Sequence, residues 1–419
     1  MKEALLMSTP LENYQARKTV LEDGCERVSL DVTNMCNTNA CITCHHTYEK
    51  WGAHMPREMM ENVAGFLKNS RSIFFVGGGE PLASPDLLYF IERAKAENPD
   101  IVTDMFTNGF MLQKLAADLG RAGLDGITIS IDGFNEVLYK AIRGVELRRV
   151  LAGIEALKKA SPGISITVTC VVQKMNLFGA VPMVRLASSI GARFIGFSSM
   201  QPLPKLPDWV LDLRIREREW VRLATHVFQE AAEVARELGI GIHVPAQFLG
   251  RGTAAESQLA CLEPFGKFVM ASHGGVLPCC YNYTGKPLGS LADQSLSEIW
   301  NGPHFQELRR CIISGEIYPG CETCEQRFAR DLINKAGLEE EPSSSPQFGG
   351  NANDPFGSPL ARARELSTPG LIPSGTRLKF VKRILSRLIR FYTAGQVEFN
   401  REVIRELERL ERLLRSERR

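Results

Sequence analysis

The sequence has 419 residues, of which 44% are hydrophobic and 23% are charged, and its formal net charge is +2. This composition is typical of a soluble globular protein of about two to three domains, and the small net charge argues against nucleic acid as a partner. Residues 1–18 carry no signal-peptide pattern, and no stretch reaches the ~20 apolar residues of a membrane span. We therefore expect a cytoplasmic protein.

Six short segments rich in β-branched residues alternate with helical segments between residues 26 and 200. The predicted strands are 27–33, 72–79, 101–109, 126–133, 164–172 and 192–199. The predicted helices between them are 56–70, 84–98, 111–123, 146–160 and 179–191, where apolar residues recur every three or four positions. Strands joined by helical crossovers predict a parallel α/β sheet, open or curled into part of a barrel.

The segments beyond the sixth strand are more varied. A proline-rich connector at 201–209 precedes a long helix predicted at about 215–238. Residues 261–324 contain several cysteines, a predicted hairpin at 265–282 and a predicted helix at 294–312. Residues 335–375 are rich in Pro, Gly and Ser and predict a disordered linker, and residues 376–419 are predicted to be helical again.

Unusual residues follow the predicted strands at the ends where parallel α/β folds place their functional groups. The segment "CNTNACITCHH" follows the first strand, "GGGEP" the second and "TNG" the third, and "SIDG" closes the fourth. The carboxyl ends of parallel strands meet at one edge of the sheet, so these segments predict an active site there.

Three cysteines, Cys36, Cys41 and Cys44, fall within nine residues of this first segment. The loop is too tight for disulfides among all three, and clustered cysteines in a reducing compartment more often bind metal or do redox work. Three thiolates on a four-iron cluster leave one iron open for a substrate or cofactor. The alternative is a zinc site in which His45 or His46 supplies the fourth ligand.

The motif "CNTNACITC", followed 33 residues later by "GGGEP" and then by "SIDG", resembles the radical S-adenosylmethionine (SAM) superfamily. This resemblance covers about residues 24–200 and implies a partial (β/α)6 barrel similar to a TIM barrel. It implies that the three cysteines hold a [4Fe–4S] cluster whose open iron is chelated by the amino and carboxylate groups of SAM. An electron from the cluster then releases a 5′-deoxyadenosyl radical that abstracts a substrate hydrogen. The family spaces the first two cysteines by three residues, whereas this chain has four, an insertion that a loop can absorb.

The resemblance also implies SAM contacts at the strand ends. It assigns Gly77, Gly78 and Gly79 to the SAM amino group, with Glu80 nearby, because glycines let a backbone approach a ligand closely. The other expected contacts are Thr107, Asn108, Ser130, Asp132, Arg143 and His45. For Asp132 the alternative role is the N-cap of the next helix. For Arg143, which could pair with the SAM carboxylate, the alternative is a surface ion pair.

A second cysteine set has 17, 41 and 2 residues between its members, which are Cys261, Cys279, Cys321 and Cys324. It resembles the auxiliary-cluster region of the SPASM and twitch families, and the lack of further cysteines implies the shorter twitch type with one auxiliary [4Fe–4S] cluster. The spacing resembles that of the radical SAM dehydrogenase of 2-deoxy-scyllo-inosamine. Cys280 is an alternative ligand to Cys279, and a four-thiolate zinc site is the alternative to iron.

The remaining cysteines, Cys25, Cys170, Cys280 and Cys311, are expected to be small buried apolar residues. Cys170 lies on the fifth predicted strand and has a second interpretation. It could donate a hydrogen atom to a substrate if its thiol points into the barrel.

An auxiliary cluster favours a net two-electron oxidation, because a fully ligated cluster cannot bind SAM but can accept an electron. We expect the substrate to be a carbohydrate-type small molecule, with a peptide as the alternative and flavodoxin or ferredoxin as electron donor. A zinc-bearing scaffold or binding protein is the alternative from a different class.

The last segment, 376–419, combines a basic amphipathic stretch with a short coiled-coil-like pattern. It is expected to contact the inner membrane surface, a partner or the barrel. The predicted organisation is an N-terminal extension at 1–23, a radical SAM core at 24–205, an auxiliary cluster domain at 206–334, the linker at 335–375 and this tail.

Overall fold

A computed structural model describes residues 8–22, 24–48, 52–203, 205–249, 261–279 and 286–321 of the chain. The predicted linker, the predicted tail and Cys324 lie outside these residues, as does Cys280.

Within the described residues, ten strands form one open sheet in the order β10-β9-β8-β1-β2-β3-β4-β5-β6-β7. The strands are β1 (Arg27–Asp31), β2 (Ser72–Val76), β3 (Val102–Thr107), β4 (Gly126–Ser130), β5 (Ser165–Val172), β6 (Phe194–Ser199), β7 (Gly241–His243), β8 (Lys267–Met270), β9 (Gly275–Leu277) and β10 (Gly289–Ser290). All pairs from β8 through β1 to β7 are parallel, and β8–β9 and β9–β10 are antiparallel. The predicted α/β class and the six strands of the core are confirmed.

The helices connect and cover these strands. They are α1 (Pro10–Gln15), α2 (Arg57–Leu67), α3 (Leu87–Glu97), α4 (Leu112–Ala122), α5 (Glu136–Arg143), α6 (Leu147–Ala160), α7 (Ala180–Ser189), α8 (Asp208–Leu211), α9 (Arg218–Glu237), α10 (Glu263–Gly266), α11 (Leu296–Trp300) and α12 (Pro303–Ser314). The single helix predicted at 294–312 is wrong, because the structure has α11 and α12 there. Pro303 opens α12 with Gly302 as its N-cap, and a proline cannot continue a preceding helix.

The two faces of the sheet differ, since side chains alternate along a strand. Residues such as Ile127, Ile129 and Val168 are buried in a core shared with the helices. The opposite face, which we call the inner face, is lined by residues in register across neighbouring strands. These include Asp31, Phe74, Asp104, Phe106, Thr128, Ser130, Thr167, Thr169 and Ser198.

The auxiliary region, defined here as residues 261–321, joins the sheet beside the cysteine-bearing strand. β8 pairs in parallel with β1, with Phe268 opposite Val28. Trp300 packs against Phe268 and Phe305 with ring centroids 5.9 and 5.0 Å apart, and such aromatic contacts add to the stability gained by burial. The sheet therefore continues past the domain boundary predicted at residue 205, with β7 at one edge and β8 to β10 at the other.

Candidate active site

The cysteine loop, residues 36–44, leaves the carboxyl end of β1 without forming helix or strand. Asn39 adopts a left-handed φ of 45°, a conformation that asparagine tolerates better than most residues. The Cys44 amide donates to the Cys41 carbonyl at 3.1 Å, and the Ile42 amide donates to the Ile142 carbonyl of α5 at 3.0 Å. An irregular turn tied to a neighbouring helix thus accommodates the four-residue spacing.

The three thiols of the loop lie near enough to influence one another. Burial raises the pKa of Cys41 and raises that of Cys44 to about 11, and the neighbouring cysteines add to both shifts. Among the described residues, no three His, Cys, Asp or Glu side chains converge on a position for a single ion. Three thiols that lie this near one another can each bind a different iron of one cubane cluster.

His45 and His46 follow the third cysteine in a short 3-10 helix, with their ring centroids 4.5 Å apart. His46 is buried. A Cβ atom on Gly78 would lie 3.5 Å from Nε2 of His46, so this ring faces the glycines after β2. The sequence singled out His45 as a SAM contact, whereas His46 is the histidine whose ring faces Gly78.

The glycine loop, residues 77–80, needs its glycines because of close packing. A Cβ on Gly77 would lie 2.6 Å from the Thr33 carbonyl oxygen, and one on Gly79 would overlap the Met35 backbone. None of the three is among the glycines with positive φ. The Gly79 amide donates to the Thr33 carbonyl at 3.1 Å and that of Glu80 to the Met35 carbonyl at 2.7 Å, which fixes the loop against the start of the cysteine loop.

Glu80 joins the glycine loop to the TNG turn, residues 107–109. Its buried carboxylate accepts hydrogen bonds from the Thr107 hydroxyl at 2.6 Å and from the Asn108 amide at 2.7 Å. Burial raises the pKa of Glu80 although these bonds oppose the shift. The Asn108 side chain in turn donates to Oδ1 of Asn37 at 2.8 Å. The glycine loop, the TNG turn and the cysteine loop are therefore connected by hydrogen bonds at one edge of the sheet. The Glu80 carboxylate takes part by binding groups of the TNG turn.

Asp132 and Arg143 form a buried ion pair. Nε of Arg143 donates to Oδ2 of Asp132 at 2.6 Å, with the side chains 13% and 1% exposed. Oδ1 of Asp132 accepts the Val171 amide at 2.7 Å. The suggestion that Asp132 caps the next helix is wrong, because Asn135 caps α5. The suggestion that Arg143 forms a surface ion pair is also wrong, because neither side chain of the pair is exposed.

This ion pair touches the cysteine loop. Burial opposes the charge of Arg143, but Asp132 and Cys41 outweigh it and hold the pKa of Arg143 above its usual value. The Cys41 thiol donates to the Arg143 carbonyl at 3.8 Å. Ser130 lies at the end of β4, in register with Thr169 on the inner face.

Cys170 lies on the apolar face of β5. It is 2% exposed, belongs to the core shared with the helices and accepts from the Asn176 side chain at 3.6 Å. Donation of a hydrogen atom to a substrate would require the Cys170 thiol to point into the barrel. The thiol points instead toward the helices, so this suggestion is wrong. Cys25 and Cys311 are buried, as expected of small apolar residues.

The second cysteine set is distributed over separate elements. Cys261 is exposed and precedes α10, whereas Cys279 and Cys321 are half-buried and follow β9 and α12. Arg309 fixes α12, the helix that precedes Cys321. Its side chain is fully buried, and its guanidinium lies 4.4 Å from the centre of the Trp300 ring. Arg309 donates to the carbonyls of Pro264 and Thr19 at 2.9 and 2.8 Å.

Comparison with known proteins gives matches to both cysteine regions. Residues 30–177 match the family model of the radical SAM superfamily, and residues 261–325 match SPASM, an iron–sulfur cluster-binding domain. An AdoMet-dependent heme synthase of Methanosarcina barkeri is 27% identical over 72% of this chain and 88% of its own length. A PqqA peptide cyclase of Granulibacter bethesdensis is 27% identical over 60% of this chain and 66% of its own.

Streptococcus suis SuiB bound to S-adenosylmethionine has a similar fold, with a TM-score of 0.57 and 15% sequence identity. The likeness covers 80% of this chain and 79% of that one.

Among the described residues, no helix combines the length and apolar character that crossing a membrane requires.

Proposed function

This chain is a radical SAM enzyme with a C-terminal SPASM domain, and from that premise we propose that it catalyses a net two-electron oxidation of a hydroxyl-bearing small molecule. Its cofactors are SAM and iron–sulfur clusters. When bound, these groups supply one-electron cleavage of SAM, hydrogen abstraction and an electron acceptor.

The observation that carries the proposal is the connected set of segments at the carboxyl edge of the sheet. Cys36, Cys41 and Cys44 would hold the SAM-binding cluster. The glycine loop would present its backbone to the SAM amino group, because it has no side chains to keep a ligand away. Glu80 fixes the TNG turn through its bonds with Thr107 and Asn108, and the turn would contact SAM from this position.

Arg143 has a positioning role in this proposal. Its guanidinium is engaged by Asp132, and its carbonyl accepts from Cys41, so it would hold the cysteine loop and leave the SAM carboxylate to other groups. Buried, paired charges fix geometry because moving either partner leaves an uncompensated charge. The end of α5 would therefore hold in place the loop whose cysteines would bind the cluster.

The second cysteine set would hold the auxiliary cluster. Cys261, Cys279 and Cys321 would be ligands together with Cys324, which lies outside the described residues. The region that carries them joins the sheet by the pairing of β8 with β1, and β1 is the strand that leads into the cysteine loop. This adjacency supports electron transfer out of the substrate site and hence a net oxidation, with flavodoxin or ferredoxin as the external donor for SAM cleavage.

The inner face supports a polar substrate. Thr128, Thr167, Thr169 and Ser198 line it with hydroxyl groups, which both donate and accept hydrogen bonds. A carbohydrate-type molecule presents matching hydroxyls. A second candidate is a peptide, which is favoured by the similarity to a PqqA peptide cyclase over 60% of this chain.

The experiment is anaerobic incubation of the iron-loaded full chain with SAM and dithionite, followed by mass spectrometry. We expect 5′-deoxyadenosine from SAM and, with the correct sugar-type substrate, a product lighter by two hydrogens. A peptide product would replace the first substrate candidate by the second. Products with unchanged hydrogen count, such as epimers, or methylated products would overturn the oxidation.

A further inference from the structure

The glycine loop poses a physical problem. Glycine loses more conformational freedom on ordering than any other residue, yet a backbone that binds a ligand must keep one conformation. Side-chain packing cannot fix Gly77, Gly78 and Gly79. The bonds that order them must come from neighbouring segments.

Most of these bonds continue the pairing of β1 with β2. The Val32 amide donates to the Val76 carbonyl at 3.0 Å, and the Gly79 amide donates to the Thr33 carbonyl at 3.1 Å. Between them, the Gly78 amide donates to a side chain, Oδ1 of Asp31, at 3.0 Å. The central glycine is thus held by a carboxylate.

The same carboxylate also interacts with the auxiliary region. Asp31 follows Leu30, which pairs with Met270 of β8, so Asp31 lies beside the turn between β8 and β9 that contains Ser272. The amides of Gly78, Thr33 and Ser272 all lower the pKa of Asp31 and so favour its ionised form. Ser272 is buried, as is Met270 before it. Asp31 therefore lies between the glycine loop and the hairpin that leads to Cys279.

We propose that Asp31 is a positioning residue that fixes the glycine loop, through the Gly78 amide, to the β8–β9 turn of the auxiliary region. The role of this loop in SAM binding rests on the function proposed above, whereas the anchoring itself does not. One side chain then links the geometry of the two cysteine-bearing regions.

The chemistry of the position supports a carboxylate. Burial raises the pKa of Asp31 to about 7, and the three amides oppose this shift, so they offset part of the cost of burying a carboxylate here. Only an ionised carboxylate accepts from all sides. Asparagine would accept with one oxygen and turn an amino group toward a donor.

The test compares Asp31→Ala and Asp31→Asn with Asp125→Ala. Asp125 is a matched control, because its Oδ2 accepts the Thr103 amide at 2.8 Å near the opposite end of β3. In the full chain without cofactors, we expect amide hydrogen exchange of segments 77–80 and 271–274 to accelerate at least about 10-fold in Asp31→Ala. The exchange rates of Asp31→Asn should lie between those of the wild-type chain and Asp31→Ala, and Asp125→Ala should leave the exchange of both segments unchanged.

The second measurement uses the iron-loaded chain. Asp31→Ala should weaken equilibrium SAM binding about 10- to 100-fold, as expected for a lost hydrogen bond to a charged group. Iron content and the maximal rate of SAM cleavage should stay near the wild-type values, because the substitution removes positioning and leaves the cluster ligands in place.

Unchanged exchange in either segment of Asp31→Ala would overturn the proposed link. A loss of iron in Asp31→Ala but not in Asp125→Ala would also overturn it, since Asp31 would then act on cluster assembly. If the wild-type chain bound SAM without protecting the glycine loop, the assignment of SAM to this loop would fail instead. The exchange data without cofactors would still decide the anchoring.

Discussion

The two cysteine-bearing regions of the molecule obtain their geometry from different sources. The cysteine loop is local: nine residues carry three thiols, and backbone bonds within the loop and to α5 shape it. In the auxiliary region Cys261, Cys279 and Cys321 belong to separate segments that only the packing of β8, β9 and α12 brings into one region. A local site tolerates changes elsewhere in the fold, whereas a site assembled from distant segments depends on them.

The largest expected effect comes from removing the local thiols. Changing Cys36, Cys41 and Cys44 together to alanine should reduce SAM cleavage to background and lower the iron content from about eight to about four per chain. The auxiliary region should keep its iron, because its ligands lie on other segments. Iron and sulfide analysis with 5′-deoxyadenosine measurement checks this, and unchanged cleavage would refute the assignment of this loop.

The reciprocal change tests the second region. The double variant Cys279→Ser and Cys321→Ser should lose about four irons per chain and form no oxidised product. SAM cleavage without substrate should persist, because the cysteine loop and the glycine loop are untouched. If this variant still oxidised its substrate at the wild-type rate, the auxiliary region would have no part in the reaction.

Two buried arginines sharpen the comparison at the level of stability. Arg143→Met would leave the carboxylate of Asp132 buried without its partner, at a cost of about 3–5 kcal/mol. Arg309→Met in the auxiliary region would remove the donor to the Pro264 and Thr19 carbonyls and a long bond to Oδ1 of Asn301, and should cost about 1–3 kcal/mol. Urea unfolding of the full chain under anaerobic conditions measures both.

Arg148→Met is the control for these variants, because Arg148 forms an exposed pair with Glu146 that should contribute at most about 1 kcal/mol. A larger loss for Arg309→Met than for Arg143→Met would contradict the ranking. It would mean that the three segments tied by Arg309 matter more to the fold than the ion pair beneath the cysteine loop.

The smallest effect concerns Asp104, a carboxylate on the inner face outside both regions. Burial raises its pKa to about 6 from an ordinary value near 3.8. Between these values the folded protein binds the proton more tightly than the unfolded chain does, so this group lowers stability as pH rises. Asp104→Asn should therefore stabilise the protein at pH 8, by about 1 kcal/mol after allowance for partial exposure.

Most of the difference should be lost at about pH 4, where the folded-state carboxyl is protonated and the unfolded one is close to half protonated. Thermal unfolding at pH 4 and pH 8 checks this prediction, and iron content should not change. Equal stabilisation at both pH values would show that packing, and not ionisation, sets the effect.

Sequence patterns predicted the core strands and the cysteine loop because their signals are local. Alternating apolar residues report one buried face of a strand, and a three-cysteine loop with glycines after the next strand needs no tertiary information. The split of α11 from α12 was readable in principle from Gly302 and Pro303. The positions of Cys170 and Asp132 were not, since a strand residue can face either side.

By itself, the sequence determined the class of fold, the six core strands and the segments that meet at their carboxyl ends. Only the tertiary structure decided which polar groups are engaged by the protein itself, as Glu80, Asp132 and Arg143 are. It also revealed Asp31 as a group between the glycine loop and the β8–β9 turn, whose Gly78 and Ser272 are 194 residues apart in the chain. The physical reason is that a hydrogen bond depends on distances of a few ångströms between segments, which no spacing along one segment encodes.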